Sequence, residues 1–353
     1  MPGRLLLFNI RTDADDHILG FTTPWINALA AHYDAVDVLT MHAGRLAVAE
    51  NVTVYSVGRE RGYGAARRLV NFYAILLRLL LTRRYTACFA HMMPLFAALG
   101  GVPLWLAGVP VTTWYTHRQV TRHLRWALRF SRRVVSAVPE SFPLPTPKLR
   151  ATGHGVNTDL FCPPPESPES SRPLVVQVAR LMPIKHQGTL LRAASSLEVD
   201  IVLVGGIPDG GDDSYARELH SLADALGITG RVTFAGEQTA EEVRDWYWRA
   251  AVAVNLSPPG LFDKAALEGM ACALPTLISS TAFIPLAGAY TAQLLVDSPE
   301  DVAGVTARLR DLLALSPQER RAIGLALRQA VIEQHSMQSL IPRLVNILNT
   351  GEL

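Results

Sequence analysis

The chain has 353 residues, 49% of them hydrophobic and 18% charged, with a formal net charge of +2. That length suits two domains of ordinary size, and the apolar share excludes a disordered chain. The small net charge hides an asymmetry: residues 1–150 carry 18 Lys and Arg against 8 Asp and Glu, while the rest carry 15 against 23, so the two halves are expected to meet different partners.

Residues 1–10 form one short apolar strand-like run without signal-peptide architecture. Further strands are predicted from Ala35 (AVDVLT), Val52 (VTVYSV), Ala87 (ACFA), Val109 (VPVTTWY) and Arg133 (RVVSAV), with helices over Pro24–His32, Gly64–Arg83 and Pro94–Leu106. Continuous Val/Ile/Leu runs, as opposed to in/out alternation, suit strands buried on both faces of a parallel sheet. The most lipid-like segment, Leu69–Leu81, falls short of the about 20 residues of a membrane span and contains Asn71 and Arg78.

Cys162–Pro173, dense in proline, serine and glutamate, is the predicted linker. The rhythm then restarts: strand LVVQVA, helix from Gln187, strand DIVLVGG, helix from Ser214, strand RVTFAG, helix from Glu241, strand VAVNLS and a helix from Asp263. Alternating β and α on each side of one linker implies an α/β protein of two doubly wound Rossmann-like domains facing a central cleft. Their extents are expected as 1–165 and 166–335, with a C-terminal helix at 336–353 returning to the first domain. Cys88, Cys162 and Cys272 form no metal-ligand pattern and are expected as reduced, mostly buried thiols of a cytoplasmic protein.

Arg180 and Lys185 follow LVVQVA and suit either a diphosphate clamp or two solvated surface cations. Gly205 and Gly206 end DIVLVGG, where glycine lets a ligand approach the backbone. The first strand runs into NIRTDADDHILG without the G-x-G-x-x-G of a dinucleotide site, which argues against NAD-type oxidoreductase chemistry. In SPPGLFDKAALEGM, Asp263 is a candidate N-cap, and the amides of Lys264 to Ala266 would form an anion site at the positive helix end. Lys264 adds charge there. Glu268, a lone acid among small apolar residues, needs hydrogen-bond donors, and a vicinal diol such as a ribose supplies two.

VARLMPIKHQGTLLRA, DIVLVGG, RVTFAGEQTAEEVRDWYWRAAVAVNLS and LEGMACALPTLIS, in this order, resemble the nucleotide-binding domain of glycosyltransferase family 4, a retaining family of the two-Rossmann GT-B fold. GHGVNTDLFCP resembles the segment entering that domain, and WYTHRQV the family's histidine loop. The resemblance covers residues 150–280 and is loose over 1–110. It implies that Arg180 and Lys185 neutralise a donor diphosphate, that Glu268, second glutamate of an E-x7-E motif, binds the donor ribose, and that His117 lies near the reacting sugar. The first glutamate of that motif is replaced by Gly260. Asp263 is the nearest substitute, as a sugar-hydroxyl contact or as a mere N-cap. The acids of the first loop, Asp13, Asp15 and Asp16, either meet acceptor hydroxyls or are solvated; Asp13 and Asp16 are the acceptor-side candidates. Glu237 and Gln238 are expected at the nucleotide base, and Ala265 in the donor-binding first turn.

Arg118–Arg133 holds six arginines and no acid, and Arg118, Arg122, Arg125, Arg129 and Arg132 recur at helical spacing. Arg59–Arg84 adds seven arginines against Glu60. Both stretches suit either an anionic membrane surface or ordinary solvated helices, and no motif for nucleic acid accompanies them. The reading is a metal-independent retaining glycosyltransferase without cofactor. It uses a UDP- or GDP-sugar and a glycan or lipid-linked acceptor, and is cytoplasmic or peripheral on the inner membrane face. The alternatives are a nucleotide-sugar epimerase, or a non-catalytic nucleotide-sugar-binding protein as Gly260 suggests.

Overall fold

The structure, a computed structural model, describes residues 3–16, 19–117, 119–165, 172–208 and 210–352. The chain divides into two compact units, Met1–Gly155 with Met337–Leu353, and Val156–Ser336. Residues 166–171 of the predicted linker lie outside the described residues, as does Arg118 of the arginine stripe.

The first unit runs β1 (Arg4–Thr12), α1 (Thr22–Ala30), β2 (Ala35–Ala43), β3 (Val52–Ser56), α2 (Ala65–Thr82), β4 (Ala87–His91), α3 (Pro94–Leu106), β5 (Val111–Trp114), α4 (Arg122–Phe130), β6 (Ser131–Ser136) and β7 (Leu149–Ala151). Its sheet order is β3-β2-β1-β4-β5-β6-β7, every pairing parallel. Leu5, Leu6, Leu7 and Phe8 of β1 are all buried, which is why the run shows no alternation. At three residues β7 is too short to carry a sequence pattern.

The second unit runs β8 (Leu174–Val178), α5 (Gln187–Ala194), β9 (Asp200–Val204), α6 (Ser214–Ala225), β10 (Val232–Gly236), α7 (Ala240–Arg249), β11 (Val252–Asn255), α8 (Lys264–Ala271), β12 (Thr276–Ile278), the short α9 (Ile284–Ala287) and α10 (Thr291–Leu294), α11 (Val302–Ala314) and α12 (Pro317–His335). Its strands lie in the order β10-β9-β8-β11-β12, again all parallel. The last helix, α13 (Met337–Thr350), belongs to the first unit and buries Leu340, Ile341, Leu344, Ile347 and Leu348 there. These are two doubly wound Rossmann-like units, the α/β class expected. No helix of the described residues is long and apolar enough to cross a membrane.

The arginine stripe needs correction. α4 ends at Phe130, so Arg132 and Arg133 stand on β6 and do not continue one helical face. Arg132 Nη2 donates to the Thr350 carbonyl at 3.0 Å and Arg133 Nε to the Gly351 carbonyl. Cations at a helix C-terminus satisfy its orphan carbonyls and favour its dipole, so these two arginines fasten the end of α13. Arg83 is also withdrawn from its stripe. It pairs with Asp37, a wholly buried carboxylate that also accepts from Arg4 at 3.0 Å and from the Tyr85 hydroxyl at 2.8 Å.

His91, at the end of β4, is 2% exposed and its ring stacks on Trp25 at 4.7 Å. Burial, with the nearby His154 adding to it, pushes its pKa from 6.5 down to about 3. The unfolded chain therefore takes up a proton below pH 6.5 that the folded chain refuses until near pH 3. Stability is fully present above 6.5 and is lost as pH falls through that window. Urea denaturation at pH 5 should find the first unit on the order of 2 kcal/mol less stable than at pH 7, and His91→Phe should remove most of the difference.

Candidate functional site

Ligands of open parallel sheets bind beyond the carboxyl ends of the strands, where the strand order reverses. In the second unit that point lies between β8 and β11. The segment after β8 carries Arg180 and Lys185, and the segment after β11 carries Ser257, Asp263 and the start of α8.

Gln177, buried on β8, donates its side-chain amide to the Lys185 carbonyl at 2.6 Å, which fixes the turn bearing the lysine. Lys185 Nζ then reaches Asp263 Oδ2 at 2.5 Å and Ser257 Oγ at 3.2 Å. Asp263 also accepts from Ser257 Oγ and, at 3.2 Å, from Asn255 Nδ2. Burial raises the Asp263 carboxyl, but the charge of Lys185 and the hydrogen bonds from Lys185, Ser257 and Asn255 outweigh it and hold the group below the ordinary carboxylate value. A partly buried ion pair with this many partners is satisfied and fixed in place.

Asp263 occupies the N-cap position of α8, yet its side chain makes no cap bond. The N-cap reading is thus corrected: the carboxylate turns to Lys185. Lys264 and Glu268, expected at different parts of a donor, meet each other at 3.0 Å. A lysine in the first turn opposes the helix dipole, and Lys four residues before Glu is the weaker order for such a pair. α8 therefore opens with a cation that does not serve the helix itself. The Tyr247 hydroxyl donates to the Ala265 carbonyl at 2.7 Å and ties that first turn to α7.

Gly260 has φ +79°, in the region that favours glycine, so the residue standing where the acid is missing serves a turn. Gly205, at φ +135°, is packed so closely that a Cβ would meet the Ala179 carbonyl oxygen at 2.2 Å. A Cβ on Gly206 would meet the Glu237 side chain. The close approach expected of a ligand at these glycines is therefore made by the protein's own backbone and by Glu237. Glu237 is exposed after β10, and the Gln238 amide bonds the Ala235 and Glu237 carbonyls within the same loop. Arg180 is exposed at the same strand edge, where its carbonyl accepts from Gln187.

The remaining candidates belong to the first unit. His117 is exposed beyond β5, with its ring 5.7 Å from that of Tyr115. Asp16 pairs with Arg11 and accepts from the Leu19 amide at 2.6 Å; Asp13 accepts from the amides of Asp15 and Arg45. Asp15 forms a two-pronged pair with Arg45. These acids thus have partners in their own loop and its neighbour. The structure therefore brings together Lys185 with Asp263, and Lys264 with Glu268. Gln177, Asn255, Ser257 and Tyr247 were missed in the sequence, although a polar residue closing an apolar strand, as in VAVN, is a readable signal at a carboxyl edge.

The description glycosyl transferases group 1 fits residues 172–314 of the chain. A D-inositol 3-phosphate glycosyltransferase of Mycolicibacterium smegmatis is 33% identical over 142 residues, 38% of this chain and 32% of that protein. The chain thus spans about a third of the length of this relative. A GDP-mannose-dependent alpha-(1-6)-phosphatidylinositol monomannoside mannosyltransferase of the same organism is 28% identical over 226 residues, 58% of this chain and 57% of its own. Among solved structures, Anabaena HepE, in complex with UDP and glucose, superposes with a TM-score of 0.77 at 15% identity, covering 98% of this chain and 99% of its own. Sucrose-phosphate synthase of Thermosynechococcus elongatus gives 0.75 at 18% identity, covering 98% of each. At such identities the likeness is one of fold.

Proposed function

We propose, from the premise that residues 172–314 belong to the glycosyl transferases group 1 family, that the chain moves a sugar from a nucleotide-sugar to an acceptor hydroxyl. The observation that carries this reading is the meeting of Lys185, Ser257 and Asp263 beside the start of α8, at the β8/β11 reversal point. A diphosphate there faces a lysine, the exposed Arg180 and a positive helix end. The names of the relatives and the UDP held by HepE support a nucleotide-sugar, UDP- or GDP-linked, with a glycan or lipid-linked acceptor.

In this reading Arg180, Lys185, the amide of Ala265 and Lys264 stabilise the charge that develops on the leaving diphosphate, an electrostatic task that requires no metal and no cofactor. Glu268 exchanges Lys264 for ribose hydroxyls, Gly205 and Gly206 shape the edge, and Glu237 and Gln238 meet the base. Asp263 holds Lys185 in position and takes over the sugar contact missing at Gly260. The acceptor hydroxyl attacks the anomeric carbon on the face the diphosphate leaves, its proton passes to the leaving phosphate, and configuration is retained. We assign contact with the reacting sugar to His117 and contact with the acceptor to Asp13 and Asp16, and the transfer takes place at an anionic membrane surface on the cytoplasmic side.

Incubation with UDP- and GDP-sugars and lipid-linked acceptors, with a chelator present, tests this. The expected product keeps the donor's anomeric configuration, read by NMR from the one-bond carbon–proton coupling at the anomeric centre, and forms at an undiminished rate with chelator. An inverted configuration overturns retention. Epimerised donor in the absence of acceptor favours the epimerase, and an unchanged donor under all conditions favours a binding protein.

A further inference from the structure

Three adjoining helices of the first unit turn apolar side chains outward. On α2 the exposed residues Ala66, Val70, Ala74, Leu77 and Leu81 recur at three- and four-residue steps and form one stripe, Leu81 being 86% exposed. The core side of this helix is a separate set, Phe72, Leu76 and Leu79. α3 exposes Val102, Trp105 and Leu106, the last two at 73% each, and α4 exposes Trp126. The helices are packed side by side. Phe72 of α2 lies against Phe96 of α3 at 4.6 Å between ring centroids, and Gly101 of α3 lies directly against the Phe130 ring of α4. Exposed apolar groups in this number on one set of neighbours mark an interaction surface.

The charge of the same helices says what kind of partner fits. Arg67, Arg68, Arg78, Arg122, Arg125 and Arg129 lie on them, and not one Asp or Glu does. A second copy of the chain on this face would set arginines against arginines with no acid to pair them. An anionic bilayer offers phosphates for the arginines and an interface for tryptophan, whose ring has an apolar body and a polar N–H. We infer that the outer faces of α2, α3 and α4 dock on an anionic lipid bilayer, with Trp105, Leu106, Trp126 and the α2 stripe entering the interface. This deepens the membrane location included in the proposed function, and rests on it for where transfer occurs. It replaces the stripe read in the sequence: α3 joins it, while Arg83, Arg132 and Arg133 leave it.

Co-sedimentation of the full chain with phosphatidylcholine vesicles, with and without phosphatidylglycerol, tests the inference. Partition onto the anionic vesicles is expected to exceed that onto neutral ones by about tenfold or more, and to fall as salt rises. Arg122→Glu with Arg125→Glu and Arg129→Glu should lower it about tenfold or more, and so should Trp105→Ser with Leu106→Ser. Both variants should keep the thermal shift that nucleoside diphosphates give the intact chain, which separates a lost surface from a lost fold. Equal partition onto the two vesicle types, or an arginine variant that binds as the parent does, overturns the inference. A concentration-dependent dimer abolished by the Trp105 variant overturns it in favour of self-association. Vesicle binding that persists while no nucleoside diphosphate stabilises the chain supports this surface and removes the donor-site reading alone.

Discussion

Asp37→Ala is expected to destabilise the first unit by about 3 kcal/mol, the low end for removing one partner of a buried charge network. The carboxylate is wholly buried on β2 and joins Arg4 at the start of β1 to Arg83 and Tyr85 just before β4. Its loss removes the shared acceptor of two guanidinium groups and a hydroxyl. The arginine side chains are 34% and 30% exposed, so water reaches them in part, which is why the figure sits at the low end. Against a total stability of about 5–15 kcal/mol, the loss is large. Asp37→Asn keeps one acceptor oxygen for these donors and should cost about half as much. Hydrogen exchange locates the effect. The amides of β1, β2 and β4 should exchange about a hundredfold faster in the Ala variant, while those of the second unit stay unchanged. A change below about 0.5 kcal/mol, the size of an ordinary surface substitution, would show that the network contributes nothing.

The strands were legible in the sequence because their chemistry is local. RLLLFNI and LVVQV are continuous apolar runs, and the structure buries them on both faces in parallel sheets. The arginine pattern misled because its helical period continues past the end of the helix. Ser131 begins a strand whose Val134 and Val135 belong in the sheet, and tertiary packing overrides the spacing of the arginines around them. The site was legible as a set of residue types at strand ends, but not as pairs. Lys185 and Asp263 are 78 positions apart, and only the crossing from β8 to β11 brings them together. The sequence therefore presented Asp263 with its neighbours alone, a helix N-terminus and a lysine, and capping was the local reading. The lesson of Gly260 is similar. Its left-handed backbone is a property of the turn, which no residue count reveals.

Lys185→Ala should have the larger consequence for function. In the proposed function the lysine is the cation that meets a diphosphate, and it also balances Asp263, whose partly buried carboxylate is left without its cation when the lysine is gone. Nucleoside diphosphate binding then loses an attraction and meets an uncompensated negative charge. The two effects together should cost about 2 kcal/mol or more, some thirtyfold in affinity. The transfer rate should fall further, by about 10²–10³, because charge on the leaving group grows in the transition state. Adding Asp263→Asn to Lys185→Ala removes the stranded charge and should recover part of the affinity but little of the rate. The measurement closest to the central claim is a calorimetric titration of UDP and GDP into the intact chain, into Lys185→Ala and into the double variant. One diphosphate bound per chain, weakened some thirtyfold by the first substitution and partly restored by the second, is the predicted result. Binding that is absent from the parent chain, or indifferent to Lys185, would contradict a donor site at the β8/β11 reversal point.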